Sequence, residues 1–177
     1  MRSDYWKTIQ EELERFAKDQ RVIFIGQQCL SETFYGLLEN ISINKRRELP
    51  VMEECQLGMS IGLALEGFLP ISIFQRCDFL PRCADQLINH LNLIPEMSRS
   101  LFKPKIIIFT TIGSTKPLDV GPQHNKNLID GFRLLLPNIP ILDLQTEKDV
   151  KDGFGTAGII DSSIMLVVRQ DLFEGIL

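Results

Sequence analysis

Short apolar runs alternate with stretches of helical periodicity along most of this chain, and this alternation restricts the fold more than any other feature. Each run is predicted to be a strand because it is short, apolar and bounded by polar or turn-forming residues. The runs occupy residues 21–26, 68–74, 105–111, 140–144 and 164–169. Strands that alternate with helices form parallel sheets covered on both faces. The expected fold is therefore α/β, a three-layer doubly wound arrangement with a mostly parallel sheet of about six strands.

The sequence also predicts a sixth strand and several helices, some of them from weaker patterns than others. Residues 48–52 should add a strand beside the others, although Pro50 cannot donate to a sheet ladder. Ser3 or Asp4 can cap a first amphipathic helix at 4–18, whereas only a weak helix is expected through Phe34, Leu37 and Leu38. Further helices are expected at 53–66, from Asp78 to about Leu91, at 125–135 and at 147–160. An aperiodic loop spans 113–123, and long loops after strands often carry function.

Length, charge and hydropathy exclude several classes of protein. With 177 residues and 44% hydrophobic composition, the chain is expected to form one domain, residues 1–177, around one core. A formal charge of -4 argues against a nucleic-acid-binding surface. No segment approaches the roughly 18 consecutive apolar residues of a membrane helix, and the acid-rich N-terminus is unlike a signal peptide. We expect a cytoplasmic protein that binds neither nucleic acid nor membranes.

Two motifs that suggest ligand binding have ordinary structural interpretations. The four cysteines match no zinc spacing and are expected to be reduced structural thiols, with Cys83 and His90 only a weak metal candidate; no metal ligand is assigned. GFGTAG at 153–158 matches the dinucleotide fingerprint, but residues before it look like the start of a helix rather than a strand. A phosphate-binding loop there, and with it an ordinary nucleotide-binding domain, is therefore disfavoured.

The segment LPVMEECQLGMSIGLALEGFLPI, at 49–71, places two carboxylates at the start of a glycine-bearing helix. Glu53 and Glu54 could merely complement the helix dipole, or one of them could be catalytic. Gly58 and Gly62 each cost about 1 kcal/mol relative to alanine in a helix, so close packing should offset that cost. Their spacing forms a smooth ridge, which predicts a tightly packed helix or a subunit interface.

Three segments together resemble the pyrimidine-binding domain of thiamine diphosphate enzymes, such as the beta subunit of 2-oxo acid dehydrogenases and the central domain of transketolases. They are the 49–71 segment, FQRCDFLPRCADQLINHL at 74–91 and GPQHNKNLIDGFRLLLPNIPIL at 121–142. The resemblance extends over nearly the whole chain and implies the thiamine diphosphate-binding fold. It also implies that Glu53 hydrogen-bonds the aminopyrimidine ring of the cofactor and promotes its imino tautomer, whose nitrogen deprotonates the thiazolium carbon.

The same resemblance implies roles for four more residues. Phe79 corresponds to the aromatic side chain that stacks on the pyrimidine, and His124 corresponds to a histidine that faces the substrate. Gln123 and Arg76 are weaker candidates for the pocket wall. Family members often carry another aromatic residue where this chain has Cys77, which makes the stacking platform here different.

The cofactor and partners also follow from the resemblance. Thiamine diphosphate is the expected cofactor, with its diphosphate and magnesium held by a separate alpha-type subunit, because no G-D-G-x-x-N-like motif occurs here. The chain is thus expected to be one subunit of a two-chain enzyme for a 2-oxo acid or ketose, inactive alone, forming a homodimer or hetero-oligomer through the Gly58/Gly62 helix. A split 2-oxo acid decarboxylase subunit and a non-catalytic binding or regulatory module are the alternatives.

Overall fold

A computed structural model describes residues 1–113, 119 and 121–174. The strands among these residues form one six-stranded parallel sheet. The strands are β1 (Val22–Gly26), β2 (Arg46–Glu48), β3 (Leu69–Phe74), β4 (Ile107–Ile112), β5 (Ile141–Leu144) and β6 (Ile164–Arg169). Their order across the sheet is β2-β1-β3-β4-β6-β5, and every paired strand is parallel to its neighbour. The predicted α/β sheet of about six strands is confirmed.

Helices cover both faces of this sheet. The α-helices are α1 (Asp4–Ala17), α2 (Glu53–Leu65), α3 (Ile94–Met97), α4 (Ile129–Leu135) and α5 (Glu147–Ile159). Short 3₁₀ segments occur at Ile43–Lys45, Cys77–Cys83 and Gln170–Leu172, and a π-helical segment at Gln86–Leu91. We refer to residues 77–91 as the irregular helix. Of these described helices, none combines the length and the apolar character that crossing a membrane requires.

Alternate side chains of the central strands divide the apolar core into two layers. On one face, Phe109 and its strand neighbours pack with α1 and α5 through residues such as Ile9 and Phe154. On the other, Ile108 and its neighbours pack with α2, the irregular helix and α4, through residues such as Leu57 and Leu87. This period of two is what a strand buried on both faces requires. The sheet therefore forms the middle of three layers.

Several predicted elements have a different form in the structure, among them the helix predicted from Asp78 to about Leu91, which is the irregular helix. The weak helix through Phe34 is wrong: Thr33, Phe34 and Tyr35 have φ of 49°, 48° and 58°, in the left-handed region, so these residues form turns while Phe34 remains buried. The strand predicted at 48–52 lies earlier in the chain, at Arg46–Glu48, and Pro50, which has no N–H to donate, lies outside it. The helix predicted at 125–135 begins only at Ile129.

The glycine-rich GFGTAG motif lies inside α5, where it cannot form a phosphate loop between a strand and a helix. A Cβ atom on Gly153 would come within 2.6 Å of Leu144 Cδ2, so this glycine permits close contact between α5 and β5. The interpretation of the motif as part of a helix is confirmed. The predicted loop 113–123 lies partly outside the described residues, at positions 114–118 and 120.

Candidate functional site

The carboxyl ends of three central strands meet where the strand order reverses. The chain runs from β1 outward to β2, returns through α2 to β3 beside β1, and continues in the opposite direction to β4. In open parallel sheets, ligands bind outside the carboxyl ends of the strands at such a reversal. Gln27 directly follows β1, Arg76 lies two residues after β3, and Gly113 directly follows β4. Polar groups from several segments are thereby brought to one edge of the sheet.

Glu53 is the first residue of α2 and has a buried carboxylate. Only 2% of the residue is exposed, whereas its neighbour Glu54 lies on the surface. Arg82 Nε donates to Glu53 Oε2 at 2.8 Å, and Gln27 Nε2 donates a long hydrogen bond of 3.4 Å to Oε1. A buried carboxylate is costly unless it is paired in this way. The two acids, interchangeable by sequence alone, therefore have different environments.

An open cleft of about 670 Å³ borders this carboxylate. Its walls come from the segment before α2, from the first two turns of α2 and from the irregular helix. They are formed by Val51, Met52, Glu53, Glu54, Cys55, Gly58, Met59, Arg82 and Gln86. A volume of this order can hold a heterocyclic ring, with the carboxylate as its most buried polar group.

Hydrogen bonds to the sheet fix the position of the first turns of α2. Gln56 Nε2 donates to the Ile73 carbonyl at 2.8 Å and to Ser72 Oγ at 3.1 Å, and both acceptors belong to β3. Gly26 makes this approach possible, because a Cβ there would overlap the Ile73 carbonyl oxygen and lie 3.0 Å from Gln56 Nε2. The α2 backbone, and with it Glu53, is thereby held at a fixed height above the sheet.

Phe79, Arg76 and His124 form a second group, separate from the carboxylate. The rings of Phe79 and His124 meet edge to face, with centroids 5.7 Å apart and an interplanar angle of 84°. Arg76 Nη1 donates to the His124 carbonyl oxygen at 2.7 Å. Both partners crowd Gly113, where a Cβ would overlap the Arg76 guanidinium and the His124 carbonyl. These contacts connect Arg76, which follows β3, to the segment that carries His124.

The sequence-predicted site residues are thus brought together only in part. Phe79 and His124 touch each other but do not line the Glu53 cleft, and Gln123 is exposed. Phe79 is connected to the cleft through the 3₁₀ segment, because residues three apart in such a helix lie above one another and Arg82 follows Phe79 by three. Polar groups contact both oxygens of Glu53, so the buried carboxylate does not lie in a purely apolar setting.

Sequence reasoning missed Arg82, Gln27 and Gln56. Arg82 resembles an ordinary surface charge after a proline, and Gln27 has no spacing that links it to Glu53. Gln56 lies three residues after Glu53 on α2, a spacing that places both on the same side of the helix. One signal was available for Arg82, namely its place three residues after the expected ring-stacking Phe79. The long-range contacts themselves join residues 26 and 29 positions apart and have no local pattern.

The glycine ridge of α2 does not pack closely within the described chain. Gly62 has no atom within 4 Å of where a Cβ would stand, and the Cβ position at Gly58 meets only Gln86, at 3.6 Å. Exposed apolar side chains flank this ridge, at Met59 and Leu65. The expected tight packing inside the chain is therefore wrong, and the subunit-interface interpretation stays a prediction.

The cysteines do not combine with histidine into a described metal site. Cys83 is buried and its Sγ bonds to the Leu80 carbonyl, whereas His90 is exposed beside Asp85. Burial raises the pKa of Cys83 to about 12 and that of Cys77 to about 11. Within residues 1–113, 119 and 121–174, no group of three or more His, Cys, Asp or Glu side chains could hold a metal ion.

Comparisons with known proteins connect this architecture to two kinds of enzyme subunit. No protein-family model matches the chain. The mitochondrial pyruvate dehydrogenase E1 component subunit beta of Saccharomyces cerevisiae is 24% identical over 170 residues, 93% of this chain and 44% of the relative. The human counterpart is 25% identical over 171 residues, 94% of this chain and 46% of the relative. The chain therefore spans about half the length of the curated relatives it matches.

A solved structure shares the fold over almost the whole chain. This structure, of a split-gene transketolase described as an inactive beta4 tetramer, aligns with a TM-score of 0.70 and 15% identity. The alignment covers 98% of this chain and 50% of the neighbour. The matches fit a pyrimidine-binding domain of thiamine diphosphate enzymes, which confirms the resemblance inferred from the sequence, and they support a beta-type subunit.

Proposed function

We propose that this chain is the pyrimidine-binding subunit of a two-chain thiamine diphosphate-dependent enzyme that acts on a 2-oxo acid or a ketose. The observation that carries the proposal is the buried carboxylate of Glu53, in a cleft at the edge of the sheet where the strand order reverses. Sequence similarity to E1 beta subunits over more than nine-tenths of the chain supports the same assignment.

The residues of the cleft fit the aminopyrimidine half of the cofactor. The Glu53 carboxylate has one close donor, Arg82, and a long bond to Gln27, so a ring nitrogen can take the place of one of these exchangeable partners. Phe79 lies outside the lining of the cleft, on the segment that also carries Arg82, so stacking would require the bound ring to extend towards that segment. We assign the diphosphate and its magnesium to the separate alpha-type chain, since the described residues provide no metal ligand cluster. The chain would therefore be inactive alone.

Each residue has a defined task in this proposal. Thiamine diphosphate, when bound, supplies the nucleophilic carbon that attacks the substrate carbonyl. Glu53 would share a proton with the ring nitrogen opposite the amino group, and Phe79 would pack against the ring. His124 would face the substrate, with Arg76 fixing the loop backbone through the His124 carbonyl. Gln123, exposed on the same loop, would belong to the pocket wall.

The proposed partner would dock on the exposed side of α2. The Gly58/Gly62 ridge presents backbone without side chains, and Met59 and Leu65 add exposed apolar surface beside it. Contact there would place a second chain next to the Glu53 cleft, because Gly58 and Met59 belong to its wall. A homodimer or a hetero-oligomer through this helix follows, with a small molecule as substrate. The cytoplasmic location stays a prediction.

The test compares Glu53→Gln with Glu54→Gln, two identical changes at adjacent residues. Each variant is combined with a candidate diphosphate-binding chain, sought first among the neighbouring genes, and turnover of 2-oxo acids and ketoses is measured with thiamine diphosphate and magnesium. We expect Glu53→Gln to lower kcat by about 100-fold or more, in the range of a lost acid–base group. Exposed Glu54→Gln should stay within about twofold of wild type, as surface substitutions usually do.

The outcomes separate the candidate functions. Ordinary turnover in Glu53→Gln would refute the catalytic assignment of Glu53. Release of an aldehyde without further oxidation would identify the split 2-oxo acid decarboxylase instead. Cofactor binding without turnover in the wild-type pair would identify the non-catalytic module.

A further inference from the structure

We propose that Arg82 is a latch that occupies the Glu53 carboxylate when no cofactor ring is bound and swings into solvent when the ring arrives. This inference rests on the proposed function, because it names the aminopyrimidine as the group that takes the place of Arg82. In this proposal Arg82 limits the access of ligands to Glu53, which would be freely accessible in a cleft without that arginine.

The Glu53–Arg82 ion pair is asymmetric in its exposure to water. The Glu53 side chain is 2% exposed, whereas that of Arg82 is 62% exposed. The arginine can therefore leave and be hydrated at little cost, since exposed guanidinium groups gain little from a single ion pair. The carboxylate cannot leave, and it would be destabilised if its partner were removed without replacement. Any ligand that displaces Arg82 must hence form a hydrogen bond with the same carboxyl group; for an uncharged ring nitrogen, which carries no hydrogen, the carboxyl group takes up a proton from solvent and donates it.

Few other contacts hold Arg82 in place. Within the part of the chain that the structure describes, its only polar contact is the 2.8 Å bond from Nε to Glu53 Oε2. It lies one residue after Pro81, near the end of the 3₁₀ segment, and the π-helical segment begins four residues later at Gln86. Changes from 3₁₀ to π geometry inside a helix often mark positions that readjust at functional sites.

The contact lies where a ring would compete with it. Glu53 and Arg82 both line the 670 Å³ cleft, together with Gly58 and Gln86 on facing helices. A ring that binds Glu53 and the guanidinium would therefore compete for one carboxylate in one cavity. In the free chain, only the fraction of molecules in which Arg82 is not paired with Glu53 can bind the ring. The ion pair therefore reduces the apparent affinity for the ring in proportion to that fraction. Removing the guanidinium should remove that penalty.

Two variants separate a latch from an ordinary surface charge. Arg82→Met keeps the aliphatic stem but removes all donors, and Arg133→Met makes the same change at a surface pair with Asp130, outside the cleft. The probe is 4-amino-5-hydroxymethyl-2-methylpyrimidine, an uncharged ring that needs no diphosphate site. Arg82→Met should bind it about fivefold more tightly than wild type or more, a typical size for coupling between two equilibria, and Arg133→Met should bind it as wild type does.

The salt dependence of binding and side-chain NMR provide two readouts that would not change if Arg82 had only a structural role. Because the probe is uncharged, raising the salt concentration should weaken only the ion pair, which tightens probe binding to wild type but not to Arg82→Met. In ¹⁵N-arginine-labelled chain, the Arg82 Nε–H signal should shift towards that of a hydrated arginine as the ring is added. The Arg133 signal should not move.

Three results would overturn the latch. They are ring binding that leaves the Arg82 signal unchanged, equal affinity in wild type and Arg82→Met, and absence of binding to both at millimolar concentrations. None of them decides the proposed function, which depends on the turnover of Glu53→Gln with the partner chain. Loss of turnover in that variant with an unmoved Arg82 signal would leave the catalytic assignment in place and remove the latch alone.

Discussion

Gly26→Ala should destabilise the fold at the point where β1 meets the candidate site. Gly26 has φ of +149°, a conformation that residues with a Cβ rarely adopt, and a Cβ there would overlap the Ile73 carbonyl oxygen of the neighbouring strand. Strain at such a backbone position costs about 1–3 kcal/mol. Overpacking against a fixed backbone adds about 1–3 kcal/mol. The expected loss is therefore about 2–6 kcal/mol of the free energy of unfolding, a large share of the roughly 5–15 kcal/mol of a typical domain.

Urea unfolding measures this loss, with the fluorescence of Trp6, the only tryptophan, as the signal. The matched control is Gly155→Ala, the same change on the exposed side of α5, where no atom lies within 4 Å of the Cβ position. That control should stabilise the chain by about 0.5–1 kcal/mol, because alanine is the better helix former. A Gly26→Ala variant within about 1 kcal/mol of wild type would refute the close approach of β1, β3 and Gln56.

Two further predictions concern the ridge of α2 and the buried thiols. Gly62→Ala should stabilise the isolated chain by about 0.5–1 kcal/mol but weaken its association with a partner chain, measured by urea unfolding and by analytical ultracentrifugation; unchanged association would remove Gly62 from the interface. Burial raises the pKa of three thiols above the unfolded value of about 8.5, to about 11 for Cys77 and about 12 for Cys83, with Cys29 also raised. Their contribution to stability is complete below the unfolded pKa and should be lost progressively as pH rises above about 8.5, through about 11 for Cys77 and about 12 for Cys83. Urea unfolding at increasing pH measures this loss, and a flat profile above about pH 8.5 would contradict the burial of these thiols. Exposed Cys55 should be the thiol that reacts rapidly with a disulfide reagent in the native chain.

The sheet could be predicted because its strands carry their information locally. IMLVVR at 164–169 and the run after Phe68 are apolar on both faces, so each can only be a buried strand, and the structure has them as β6 and β3. The α1 helix could be predicted equally well, because its apolar stripe and its cap lie within one continuous segment. Of the two caps expected, Ser3 or Asp4, Ser3 accepts from the Trp6 N–H. Propensity, period and capping agree at these positions.

Local patterns failed where tertiary contacts override propensity. The segment around Phe34 has helical spacing of apolar residues, yet its backbone is left-handed because burial of Phe34 against Phe109 outweighs the strain. The irregular helix keeps the expected buried face through Leu80, Cys83, Leu87 and Leu91. Its change from 3₁₀ to π geometry was not predicted; this segment packs against α2, a long-range contact that has no local sequence pattern.

Arg82 shows why the candidate site was only half predictable. Sequence patterns identify the types of residue that chemistry needs, and a carboxylate at the start of α2 is such a type. The group that pairs with that carboxylate depends on the local geometry of the irregular helix, in which residue 82 is the one that reaches Glu53. A helix of uniform 3.6-residue period would distribute these side chains differently from a 3₁₀ segment, in which residues 79 and 82 lie above one another. The partner of Glu53, and hence its availability to a ligand, is therefore a property of this local helical geometry that no spacing rule in the sequence contains.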